Sequence, residues 1–174
     1  MKGNRYLTHN KKLKDPGDAL RIEKARADAL GDKLAAVVWQ LPNGFRKNVE
    51  RIEDFVEALG QWCEVHHAVE FRHPSWFDDA VAECLASHAV AVCQSNAVDW
   101  PLWNAVTTDM VYVRLRGYTR TYASRYSHVL LDQWADRNRR WRVEGRDMHV
   151  YFDNDGEGAA PLDALKLIQR VRLS

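Results

Sequence analysis

A chain of 174 residues with 25 Lys and Arg against 24 Asp and Glu has a formal net charge of +1. That balance gives no electrostatic reason to expect nucleic acid or an anionic membrane as partner. Hydrophobic residues at 46% and charged residues at 28% suit one globular domain over residues 1–174 with a real core. No apolar run approaches the roughly 20 residues that span a bilayer, and the basic start, Met1 to Asp15, lacks the apolar stretch of a secretory signal. Cys63, Cys84 and Cys93 are odd in number, without CxxC spacing. Each lies in or beside an apolar stretch, where a reduced thiol behaves as a small hydrophobe. A reducing cytoplasm is expected, with neither disulfide framework nor zinc site.

In chain order, short β-rich runs alternate with helical periods. Asp15-Pro16 predicts a helix start, with Asp15 as cap, and Gly31 a stop. Ala35 to Leu41 is a strand ended by the turn residues Pro42-Asn43-Gly44. Val49, Ile52, Phe55, Val56 and Leu59 form one apolar helical stripe before Gly60. His67 to Arg72 is a second strand, followed by a helix carrying Val81, Cys84, Leu85 and His88 on one face. Val90 to Gln94 is a third strand, with an irregular stretch to Asp109. Met110 to Arg116 is a fourth, and Gly117 to Tyr126 a polar loop. Ser127 caps a helix with Leu130, Leu131, Trp134 and Trp141, Asp147 to Asp153 is the last strand, and Pro161 to Val171 the last helix. Strand and helix in alternation predict an α/β fold, a parallel sheet covered by helices. Periodicity alone leaves an open sheet and a barrel both possible.

Side chains alternate across a strand. If the more apolar set faces the helices, Val37, Trp39 and Leu41 leave Gln40 on the other side. Likewise Val69 and Phe71 leave Glu70 and Arg72, Val111, Val113 and Leu115 leave Tyr112, Arg114 and Arg116, and Met148, Val150 and Phe152 leave His149, Tyr151 and Asp153. The charged members fall at strand C-terminal ends, where parallel α/β folds build their sites. Gln40, Glu70, Arg72, Arg114, Arg116 and Asp153 are thus expected to line one mouth, with His73 and Trp76 from the loop after the second strand. Three arginines against two carboxylates favour a phosphate or carboxylate ligand. The alternative is a self-neutralising ion network without a ligand.

Glu70-Phe71-Arg72-His73-Pro74-Ser75-Trp76 resembles the domain-of-unknown-function 72 family, the YecE-like proteins. Arg5-Tyr6-Leu7-Thr8-His9, Gln40-Leu41-Pro42, Arg114-Leu115-Arg116-Gly117 with Tyr122 and Tyr126, and Tyr151-Phe152-Asp153-Asn154-Asp155 resemble further family motifs in the right order. Two positions depart: Arg116 stands where the family typically has His, and Asp153 where it typically has Asn. The resemblance implies a TIM-like (β/α)8 barrel. The family's opening Gly-x-Ser-Gly-Trp-like and Glu-x-Asn-x-x-Phe-Tyr-like strands are absent, and Met1 falls near the end of the third strand. An incomplete barrel is expected, about five parallel strands with covering helices and the N-terminal three strands missing. A complete barrel needs about 250 residues. The Ala35–Leu41 and Asp147–Asp153 strands would then present unpaired edges, exposing Val38, Tyr112 and Tyr151 and inviting self-association. Poor folding as an isolated monomer is expected.

Three functions follow as expectations. In an enzyme, hydrolytic or lyase, Arg72, Arg114 and Arg116 hold a small anion. Glu70 or Asp153 acts as general base, and His73 handles the proton. In a non-catalytic binding module for a phosphorylated or nucleotide ligand, Trp76, Tyr122 and Tyr126 stack on or cover the ligand, with Gln40 and Asn154 among the binding residues. In the third, the chain is an inactive fragment of a longer gene. No metal is expected: Glu70, His73 and Asp153 could supply ligands, but no HxxxH or HExxH spacing supports them. The residues imply no particular cofactor. The arginines Arg137, Arg139, Arg140, Arg142 and Arg146 are expected to form a solvated helix face with Asp132, Asp136 and Glu144.

Overall fold

A computed structural model describes residues 1–172, and these fall into two compact units. The first comprises residues 1–93 and 105–108; the second comprises residues 94–104 and the chain from residue 109 onward.

In the first unit, strands β1 (Ala36–Gln40), β2 (His66–Glu70) and the start of β3 (Val90–Asn96) run parallel in that order. Helices α1 (Gly17–Ala27), α2 (Val49–Leu59) and α3 (Asp79–Ser87) alternate with them. The α2 stripe behaves as its spacing predicts: Ile52, Phe55, Val56 and Leu59 are buried, and Asn48 caps the helix by accepting from Arg51 N–H at 2.9 Å. Trp39, fully buried, meets Phe55 and Trp62 edge-on with ring centroids 5.5 and 6.5 Å apart. A tryptophan so placed is worth roughly 3–5 kcal/mol against alanine. Its indole N–H donates to His67 Nδ1 at 3.2 Å, so Nδ1 is the acceptor nitrogen and Nε2 donates to the Trp62 carbonyl at 2.8 Å. That pair of bonds selects the neutral imidazole, and burial holds His67 below the usual imidazole range.

The expected open edge at β1 is corrected. Val38 N–H donates to the Met1 carbonyl at 3.0 Å, Gly3 N–H donates to the Val38 carbonyl at 2.9 Å, and Val38 is buried. Residues 1–3 thus run parallel beside β1 and pair its backbone at Val38. Asp15 is not a cap either. Pro16 holds that position, and Asp15 sits at φ +42° rather than in the extended conformation a capping side chain needs. Cys63 is exposed rather than packed as a hydrophobe, and His88 lies just past the end of α3 and is exposed. Tyr6–Asn10, within the basic start and the Arg5–His9 motif, is a π-helical turn that buries Leu7 and Thr8.

In the second unit the end of β3 is followed by β4 (Met110–Leu115) and β5 (Asp147–Phe152), the last two parallel and in register from Met110↔Asp147 to Leu115↔Phe152. Helices α4 (His128–Val143) and α5 (Ala159–Arg172) flank them. Val111, Val113 and Leu115 pack with Leu131, Trp134, Trp141 and Leu167, and Met148, Val150 and Phe152 join the same core. The opposite parity therefore points away from the helices, as alternation predicts. Ser127 caps α4 by accepting from Leu130 N–H at 3.3 Å. Arg146 pairs with Glu144 and Arg139 with Asp136, while Arg170 reaches Asp132 at 2.6 Å. Tyr112, expected to be exposed, is buried beneath the rings of Tyr151 and His149. No helix among the described residues is long and apolar enough to cross a membrane.

Candidate functional site

The ends of β1 and β2 hold a hydrogen-bonded chain of polar side chains. Glu70 has 0% exposure. Both its oxygens accept from Gln40 Nε2 at 2.9 Å, and Oε1 also accepts from Arg72 Nε at 3.1 Å. Gln40 turns its carbonyl outward to accept from Lys2 Nζ at 2.9 Å. The orientation suits both neighbours: the amide nitrogen can only donate, as the carboxylate requires, and the amide oxygen can only accept, as the ammonium requires. Burial, with the charges of Arg5, Lys2 and Arg72, holds His9 below the usual imidazole range.

After β2, His73 Nδ1 accepts from Ser75 N–H at 3.1 Å and lies 2.8 Å from Ser75 Oγ, so this ring nitrogen caps the turn Pro74–Trp76. Trp76 is fully buried, donates from its indole to the Phe45 carbonyl at 2.7 Å, and packs against the rings of Phe45 and Phe71. Its ring anchors the loop within the core.

At the ends of β4 and β5, Arg114 grips Asp153: Nε and Nη2 lie 2.8 and 2.7 Å from Oδ2. Arg116 Nη1 approaches the same oxygen at 3.6 Å and accepts company from two aromatic rings, Trp100 at 5.8 Å and Tyr122 at 5.5 Å from the guanidinium carbon. Its Nε donates to Ser95 Oγ at 3.3 Å and its Nη1 to Tyr122 Oη at 3.1 Å. Arg116 is only 3% exposed, whereas Tyr122 is 47% exposed. Planar guanidinium tolerates such stacking, which an ammonium would not reproduce.

The loop behind is fixed by buried polar groups. Tyr126 Oη donates to Asn96 Oδ1 at 2.8 Å and accepts from Gly117 N–H at 3.2 Å; burial pushes its phenol far above the ordinary range. Asn154 donates to the Ser124 carbonyl and to Asp163 Oδ2, both at 3.0 Å. Gly117 sits at φ +100°, and a side chain there would meet the Arg120 carbonyl.

Of the residues expected to form the site, Gln40, Glu70 and Arg72 meet in the first unit, and Arg114, Arg116, Asp153 and Tyr122 in the second. Tyr126 and Asn154 support the loop of the second unit from beneath. Strand alternation marks none of Lys2, His9, Ser95 and Trp100, and His9 is signalled only by the Arg5–His9 motif. Lys2 and Ser95 carry no pattern that marks them. Among the described residues there is no group of three or more His, Cys, Asp or Glu side chains placed to hold a metal ion.

The arrangement defines an α/β protein whose polar side chains gather at the C-terminal ends of parallel strands. Three crystal structures share the fold. A DUF72 family protein from Thermotoga maritima superposes with a TM-score of 0.87 at 23% identity over 98% of this chain and 72% of that one. A DUF72 family protein from Enterococcus faecalis does so in two structures, with TM-scores of 0.81 and 0.75 at 15% and 18% identity, covering 98% of this chain and 70% and 74% of theirs. The likeness shows the fold to be an incomplete TIM-like barrel of five parallel strands with flanking helices. The sequence model of the family described as "Protein of unknown function DUF72" matches residues 1–174, and the chain belongs to that family. No curated protein matches it.

Proposed function

We propose that the chain binds a small oxyanion, a phosphate or carboxylate, at the strand ends of its second unit. One observation carries the reading. Arg114 and Arg116, from one strand and its end, both approach Oδ2 of Asp153, and Arg116 is almost wholly buried. Two guanidinium groups held together at strand ends present forks that match phosphate or carboxylate oxygens. The first unit repeats the theme, with Arg72 bonded directly to Glu70 and Lys2 linked to it through Gln40.

Binding is favoured over hydrolysis by what the carboxylates already do. Glu70 accepts from Gln40 and Arg72, and Asp153 from Arg114. A general base needs a lone pair aimed at the proton it takes, and both oxygens of Glu70 and Oδ2 of Asp153 are aimed at fixed donors. His73 likewise spends Nδ1 on its own turn.

Calorimetric titration with inorganic phosphate tests the proposal. Saturable binding is expected, weakening with salt and falling by about tenfold or more in Arg114→Gln, as expected for loss of one charge-assisted hydrogen bond. Absence of saturable binding, or an affinity unchanged in Arg114→Gln and Arg116→Gln, contradicts it.

A further inference from the structure

We infer that the ligand of this site carries a planar heteroaromatic ring set apart from its anion, as a nucleoside monophosphate does. The inference rests on the oxyanion reading above and adds the part of the ligand that the arginines do not touch. It comes from the face of β4 and β5 that carries those arginines. Register places Tyr112 beside His149 and Arg114 beside Tyr151, all of one parity. Below the charges the side chains become aromatic and nearly parallel. Tyr112 and Tyr151 stack with centroids 5.1 Å apart at 28°, Tyr112 and His149 at 6.2 Å and 14°, and His149 and Tyr151 at 6.3 Å and 15°.

The three centroids form a triangle of near-parallel rings, buried at Tyr112 and open at Tyr151. Tyr112 is 5% exposed, whereas Tyr151 is 44% exposed although it sits within a strand. Three rings held within 28° of parallel give a π surface of fixed orientation, on which a further flat ring stacks without ordering cost to the protein.

Spacing decides which flat anion fits. Tyr151 and Asp153 lie two residues apart on one face of the chain, a rise of about 7 Å. Arg114 leaves the row of Tyr151 and puts its guanidinium at Asp153. Ring and anion are therefore held apart by that rise. A carboxylate bonded directly to an aromatic ring lies too close to satisfy both positions. A base joined to its phosphate through a sugar spans them.

The test compares three probes on the full chain by calorimetry: inorganic phosphate, adenosine 5′-monophosphate and adenosine. Stacking on one aromatic ring predicts that the nucleotide binds about tenfold more tightly than phosphate. Tyr151→Leu, which keeps apolar bulk without a π face, should reduce nucleotide affinity to that of phosphate while leaving phosphate binding unchanged, and Tyr151→Phe should retain it. In the unmodified chain, magnetisation transfer from tyrosine ring protons to the base protons should appear, which needs no variant to fold. Phosphate binding without any gain for the nucleotide overturns this inference alone. So does a Tyr151→Leu chain that keeps the gain, or an absence of tyrosine-to-base transfer. Failure of phosphate itself to bind overturns both this inference and the oxyanion reading.

Discussion

Arg114 meets Asp153 through two nitrogens, Nε at 2.8 Å and Nη2 at 2.7 Å, and both land on the same oxygen, Oδ2. Arg116 comes to that oxygen as well, at 3.6 Å. The carboxylate therefore organises two cations at once, whereas removal of either arginine leaves it the other.

That asymmetry gives the first prediction. Asp153→Ala should destabilise the second unit by about 2 kcal/mol, the order of a hydrogen-bonded charge pair that is largely but not wholly withdrawn from water. Arg114→Ala should cost less, because Asp153 keeps Arg116. Urea denaturation of both variants provides the comparison, and equal costs would refute the shared-oxygen account.

In the first unit the buried Glu70 holds Gln40 and Arg72. Glu70→Ala should cost about 3 kcal/mol, since it removes the buried carboxylate that Arg72 and Gln40 share. Gln40→Ala should cost less, because Glu70 keeps Arg72. The same denaturation series reads both.

Much of this was legible from alternation along strands. Trp39 against Gln40, Phe71 against Glu70, Val113 against Arg114 and Phe152 against Asp153 sort to opposite faces because a strand has a period of two and the helices take the apolar set. Other features have no local signal. Residues 1–3 pair with β1 through backbone groups that every residue carries, so no side chain announces it. Trp76 and Tyr126 looked like ligand-facing aromatics, but partners distant in sequence, the Phe45 carbonyl and Asn96, draw them inward. Trp100 lies in an irregular stretch without periodicity, and its place over Arg116 depends on tertiary contact.

The pairing of residues 1–3 has its own consequence. A side chain at Gly3 would enter the ring of Trp39. Gly3→Ala should therefore destabilise the first unit by about 2 kcal/mol through overpacking and should loosen the hydrogen bond from Val38 to Met1. Amide exchange at Val38 should accelerate in the variant; unchanged exchange and stability would show that the first residues pack elsewhere.

A pH dependence follows from His67. Its folded-state pKa is lowered by burial, so between the usual imidazole value of 6.5 and that lower value the unfolded chain binds more protons than the folded one. Stability from this group is fully present above pH 6.5 and falls as the pH drops below it. His9, lowered in the same direction, adds the same sign. Denaturation midpoints should decline from pH 7.5 to pH 5, and His67→Gln should flatten the decline. A midpoint that rises on acidification would contradict the neutral, doubly bonded imidazole.

The central claim, that Arg114 and Arg116 offer their charge to an anion, is tested most directly by phosphate affinity in Asp153→Asn beside the unmodified chain. Removing the carboxylate takes away the competing negative charge while an amide oxygen still receives the guanidinium. The account predicts saturable binding in both chains, tighter in the variant by roughly an order of magnitude. No binding in either chain, or weaker binding in the variant, would mean that the arginines and Asp153 form a closed structural network.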